Sequence, residues 1–185
     1  VRGLGTLKLN STKEYIEKYT EEFYLVDLYY RRTLEAYHEL ITKENPIEQT
    51  LSSAKRQLDL EYAKMTNVLN LEWLTCVEEK GAWFTETGLK RQEDFYKNES
   101  DTSVKQVVIV CDALRYEVAK ELMQELAKEK HIATIDAYQA MLPTETKYCK
   151  PALLPHHLLE LNGTDMMVDG TLLTTTEQRT AHLGK

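Results

Sequence analysis

Between Tyr15 and Ile41 the apolar positions are Tyr15, Tyr19, Phe23, Val26, Tyr30, Leu34, Tyr37 and Ile41, spaced by steps of 4, 4, 3, 4, 4, 3 and 4. Only an α-helix puts such positions on one face, so the spacing predicts about eight turns of amphipathic helix over 12–44. Asn10 or Ser11 supplies an N-cap and Glu14 an acid in the first turn. Asn45-Pro46 ends the run, because the residue before a proline is pushed out of helical geometry. A second stripe, Ile47, Leu51, Ala54, Leu58, Met65, Leu69, Trp73 and Cys76, predicts a helix over 47–80, with Gly81 as its stop. Two long helices with so short a link predict an antiparallel hairpin. A shorter helix over 85–97, burying Leu89 and Phe95, completes a helical region over 1–98. Residues 99–105 are polar and read as a linker.

After the linker the period changes. Val107-Val108-Ile109-Val110-Cys111 is a short continuous apolar run, the pattern of a strand buried on both faces of a parallel sheet. A helix is expected over 113–130 with Val118, Leu122, Met123 and Leu126 facing inward, then a strand within 132–140. Residues 146–154 form a short helix ended by Pro155, and Met166-Met167-Val168 a third strand closed by the turn pair Asp169-Gly170. Residues 171–185 are polar and loop-like, with helix allowed from Thr176. Strand, helix, strand, helix, strand predicts an α/β unit with right-handed crossovers over 106–185.

The 185 residues carry a formal net charge of −7, which argues against a broad nucleic-acid footprint made of clustered Lys and Arg. A local site in which metal ions supply positive charge remains open. Three widely spaced cysteines, Cys76, Cys111 and Cys149, offer neither a disulfide framework nor a metal clip, so reduced thiols in a cytoplasmic protein are expected. No apolar run approaches the roughly 20 residues of a membrane span. A chain that starts at Val1 and ends at Lys185 without a closing element reads as a fragment of something longer. No GxGxxG or GxxxxGK[ST] run supports a nucleotide-binding domain.

Asp112 ends the apolar run, where ligands of open α/β sheets collect, and a carboxylate there is a good hard ligand for a divalent cation. The alternative is that it caps the helix that follows. A paired-aspartate nucleophile wants a second acid two residues on, and that position is Leu114. Thr144 and Thr146 flank Glu145 at the start of the next helix, behind Pro143. A metal-bound hydroxyl there becomes a nucleophile; a plain helix cap is the alternative. His156-His157 read as a solvated loop or a single metal ligand. Arg115 reads as a phosphate contact or, more simply, a partner for Glu117 or Glu121. The tyrosine-rich stripe reads as core, suited to packing against another domain.

Val-Ile-Val-Cys-Asp-Ala-Leu-Arg-Tyr-Glu-Val-Ala (108–119), Leu-Pro-Thr-Glu-Thr-Lys (142–147), Ala-Leu-Leu-Pro-His (152–156) and Val-Asp-Gly (168–170) together resemble the PglZ domain. The resemblance is greatest to the type A PglZ proteins of BREX bacteriophage-defence systems. Tyr24-Leu-Val-Asp-Leu-Tyr-Tyr-Arg31 and the Trp73 region extend it over most of the chain. It implies an α/β fold with an N-terminal all-helical region: the long helix hairpin, then the first half of an alkaline-phosphatase-like parallel-sheet core. It implies that Asp112 binds a divalent metal, zinc or manganese, and that Thr146 is both nucleophile and metal contact. The remaining ligands would lie beyond Lys185, so the fragment alone would be inactive. The whole protein would be a phosphatase or phosphodiesterase-like hydrolase in phage defence, with nucleic acid among its candidate substrates and other defence proteins as partners. The competing expectation is a non-catalytic assembly module, motivated by the outer face of the hairpin.

Overall fold

The computed structural model describes residues 7–41, 46–80, 87–101 and 103–184. The chain divides into two compact units, one of residues 1–88 and 114–135, the other of residues 89–113 and 136–185.

The first unit is helical. Helix α1 (Thr12–Lys18) is capped by Ser11, whose hydroxyl accepts from the Glu14 amide. A single π-helical turn (Tyr19–Phe23) leads into α2 (Tyr24–Ile41). Tyr15 and Phe23 are buried, as the stripe requires, but beyond the π turn Leu28 is the buried residue. The wider turn rotates the inward face, an effect that a constant 3.6-residue period does not anticipate. Helix α3 (Glu48–Lys80) spans 33 residues, about 50 Å at the standard rise. Its contacts with the earlier helices fall in antiparallel order. The Tyr37 and Ser52 hydroxyls are hydrogen-bonded, Tyr30 donates to Asp59, Tyr62 to Asp27, and the Tyr15 and Trp73 rings meet edge to face. The expected stop at Gly81 and the first residues of the 85–97 helix lie outside the described residues.

Helix α5 (Tyr116–Lys128) belongs to the same unit but packs by an unexpected face. Glu117 is 1% exposed, whereas Leu122 and Leu126, expected inside, are exposed. Arg31 and Arg32 of α2 both pair with Glu121, and Tyr116 packs against the Tyr19 and Tyr24 rings. The polar face is therefore the one with partners, because α2 presents arginines and tyrosines to it.

The second unit differs from the expected parallel core. Residues 107–111 are extended but pair with no strand among the described residues, and Val107 and Ile109 are 79% and 80% exposed. A ladder needs a neighbour with free N–H and C=O groups, and no described strand pairs with this run. The expected 85–97 helix is instead a two-residue strand β1 (Lys90–Arg91), a 3-10 turn (Gln92–Asp94) and helix α4 (Phe95–Glu99). Gly88, at φ +71°, breaks the helical path. Of the 132–140 strand only β2 (Tyr138–Gln139) pairs, in parallel with β1.

Helix α6 (Thr146–Ala152) is followed by an antiparallel sheet of β3 (Leu159–Asn162), β4 (Asp165–Val168) and β5 (Thr171–Leu172), with β4 in the middle. The expected third strand thus lies in an antiparallel meander, because its connections are too short for a crossover. Asp169 and Gly170, at φ +48° and +74°, form the two-residue turn between β4 and β5, the left-handed pair such a turn demands. Met166, Val168 and Leu173 form the core with Tyr148, Pro151 and Ala152 of α6. Helix α7 (Thr176–Leu183) starts from a capping box between Thr175 and Gln178.

Candidate functional site

Asp112 follows the extended run 107–111, and the next residue, Ala113, has φ +57°. A side chain in that left-handed region costs roughly 1 kcal/mol, so the bend after the carboxylate is held against its own preference. The helix-cap alternative for Asp112 does not apply: the N-cap of α5 is Arg115, and it makes no side-chain capping bond. Asp112 Oδ2 instead accepts from Lys150 Nζ at 2.5 Å. Its Oδ1 makes no hydrogen bond among the described residues.

Lys150 sits on α6. Tyr148, Pro151 and Ala152 are buried on one side of this helix, where it packs against β4. Thr146 and Lys150 lie on the opposite side, four residues apart. That spacing stacks their side chains with roughly 5–6 Å between Cβ atoms. The ion pair therefore ties Asp112 to a side chain that starts from the face of α6 carrying Thr146. Thr146 is the first helical residue; the N-cap is Glu145, without a side-chain capping bond. The Thr146 hydroxyl is exposed and makes no hydrogen bond among the described residues, so it is no cap.

The segment that enters α6 is clamped by Gln92. Its Oε1 accepts from the Met141 amide at 3.0 Å and its Nε2 donates to the Cys149 carbonyl at 3.3 Å. Burial pushes the Cys149 thiol above its ordinary pKa. Beyond the helix, Asp169 accepts from the His157 and Leu158 amides at 2.9 and 2.8 Å, and those amides hold its carboxyl below the usual range. His156 Nδ1 contacts the Leu154 carbonyl and His182 Nε2 the Pro155 carbonyl. The histidine pair is thus part of a pinned loop. Arg115 pairs with Glu117 at 3.7 Å, the simpler of its two expected roles.

A cleft of about 380 Å³ opens beside this arrangement, lined by Val108, Val110, Lys150, Leu153, Leu154 and Arg179 among others. Val108 and Val110, alternate residues of the 107–111 run, line it together with Lys150. The four-residue offset between Thr146 and Lys150 is a sign readable in the sequence. The strained bend at Ala113 left no such sign.

Carboxylate and alcohol oxygens are hard donors of the kind that divalent cations prefer, so Asp112 and Thr146 fit a metal in chemistry. Among the described residues no group of three His, Cys, Asp or Glu gathers as a ligand cluster.

Residues 93–185 match the BREX system PglZ alkaline phosphatase-like domain, which is half of the chain. The chain belongs to this family. The alkaline phosphatase-like protein PglZ of Bacillus cereus is 29% identical over 175 residues, 90% of this chain and 20% of that relative. The alkaline phosphatase-like protein BrxZ of Escherichia coli is 37% identical over 93 residues, 45% of this chain and 11% of the relative. The chain spans a fifth or less of the length of these curated PglZ relatives. No solved structure matches it. Asp112, Thr146, Lys150 and Asp169 all lie within the stretch that matches the PglZ domain. No described helix is long and apolar enough to cross a membrane.

Proposed function

We propose that the chain carries part of the active site of a metal-dependent hydrolase of phosphate esters or phosphodiesters that acts in a cytoplasmic phage-defence system. The observation that supports this reading is the ion pair of Asp112 with Lys150, a residue one helical turn from the free hydroxyl of Thr146. Asp112 and Thr146 would hold a divalent cation, zinc or manganese. Such a cation lowers the pKa of a bound alcohol and neutralises charge on a phosphoryl group. Thr146 Oγ1, having given its proton to solvent, would form the new bond to phosphorus while the ester oxygen leaves with its electron pair and takes up a proton; water would then cleave the phosphothreonine and regenerate the hydroxyl. Nucleic acid is a candidate substrate of the whole protein, with the metal rather than a basic surface meeting the phosphate.

The relatives' lengths support a longer parent polypeptide. In it, further strands complete an alkaline-phosphatase-like sheet against residues 107–111, and the missing ligands join Asp112. The 185-residue chain alone is then inactive. The domain division we favour remains a helical region over 1–98, a linker over 99–105 and the first part of the α/β domain over 106–185. The test uses the intact polypeptide, an aryl phosphodiester and added manganese or zinc. Thr146→Ala and Asp112→Ala each abolish turnover; unchanged turnover in both refutes the assignment.

One observation favours a second reading, a docking role among other defence proteins. Leu60, Leu71 and Leu74 of α3 are 59%, 60% and 42% exposed and share one helical sector. A pull-down with and without residues 1–98 measures it; loss of partners without loss of hydrolysis assigns docking to the helices.

A further inference from the structure

We propose that Lys150 is a resident cation at the Asp112 carboxylate, so that a divalent ion enters the site only by displacing its ammonium. This rests on the reading of Asp112 as a metal-binding carboxylate. Lys150 Nζ lies 2.5 Å from Asp112 Oδ2, the position in which a metal would also meet that oxygen. Neither side chain has another charged partner among the described residues.

An exposed ion pair usually contributes little, because two long side chains must be ordered to make it. Here part of that ordering is done by the fold. The Lys150 side chain is 30% exposed and lines the cleft that Val108, Val110 and Leu153 also line. Asp112, 60% exposed, is followed by the left-handed bend at Ala113. The lysine end of the pair is thus partly placed before any ligand arrives. An ammonium held there does two things to a divalent ion. It occupies one carboxylate oxygen, and it repels the ion once displaced, since Lys150 remains anchored on α6. Repulsion between a single and a double charge about 5 Å apart, in a water-like dielectric and with salt present, is on the order of tenfold in affinity. Metal occupancy then depends on the local divalent-ion concentration, with the empty carboxylate kept neutralised.

The experiment titrates manganese into the intact polypeptide and reads free Mn²⁺ by electron paramagnetic resonance, which needs no turnover. Lys150→Met and Lys150→Gln each bind Mn²⁺ about tenfold more tightly than the parent, Lys150→Arg binds like the parent, and Asp112→Asn binds more weakly. In the Asp112→Asn background, Lys150→Met no longer tightens binding. If both charge-removing variants bind no tighter while Asp112→Asn weakens binding, the resident-cation idea is refuted and the metal site stands. If Asp112→Asn leaves Mn²⁺ affinity unchanged, the carboxylate is no ligand and both readings fall.

Discussion

Replacing Asp27 by alanine tests the joint that holds the helical unit together. The Asp27 carboxylate accepts one hydrogen bond from Tyr19 and one from Tyr62, each 2.7 Å long. Tyr19 lies in the π turn and Tyr62 on α3, so one acid ties the two helices across their interface. Tyr62 also stacks flat on Tyr30 at 3.8 Å between ring centroids, and Tyr30 donates to Asp59, so the joint continues along the seam. A hydrogen bond to a charged group contributes about 1.5–3 kcal/mol. Losing two would cost 3–6 kcal/mol if neither hydroxyl found water; both tyrosines are only half-buried, so about 2–4 kcal/mol is expected. The assay is urea unfolding followed by far-ultraviolet circular dichroism, with the midpoint falling and the slope unchanged. Tyr62→Phe removes one bond and no charge, so it costs about half as much. Asp27→Ala also has a spectroscopic consequence. Burial first, and Asp27 second, push the Tyr62 hydroxyl up to about 12. Its folded pKa thus exceeds the unfolded value near 10, so its contribution is complete below pH ~10 and is lost as pH rises toward 12. In Asp27→Ala the tyrosinate absorbance of Tyr62 appears at lower pH, without returning fully to 10, because burial remains. An Asp27→Ala penalty under about 1 kcal/mol with an unmoved tyrosine titration refutes this account of the interface.

Two further outcomes concern the second unit. Gly170 sits at φ +74° with open space where a Cβ would go, so Gly170→Ala destabilises by about 1 kcal/mol through the backbone alone, read as a lower urea midpoint. Asp169 has its pKa depressed by the His157 and Leu158 amides. Its stabilising effect is therefore present above the unfolded value near 4 and fades as pH falls through the lower folded value. Asp169→Asn should flatten the acid limb of the stability–pH curve, and an unaltered limb contradicts the role given to it.

What could be read in the sequence follows from the range of the interactions involved. Helical periodicity is local, so the positions of α2 and α3 were legible to within a few residues. The π turn that moves burial to Leu28 was not, since nothing in a hydropathy pattern marks an added residue per turn. Residues 107–111 read as a buried strand because a run of valines and isoleucine says only what a segment tolerates. Whether it pairs depends on neighbours that the run does not encode. Asp112 and Thr146 were found from residue type and motif. The tie between Asp112 and the helix of Thr146 was not read, since it runs through the Lys150 ion pair. The two bland readings of the site, Asp112 and Thr146 as caps, fail in the structure for the same local reason: the cap positions are Arg115 and Glu145.

The central claim is that Thr146 is the nucleophile in a site organised by Asp112. Its most direct test is to incubate the intact polypeptide with manganese and a phosphate ester, quench in acid, and map the attached phosphate by mass spectrometry. Phosphate on Thr146, absent from Asp112→Asn and from metal-free samples, is the expected result. Metal-dependent turnover with phosphate trapped on another residue, or undiminished in Thr146→Ala, contradicts it.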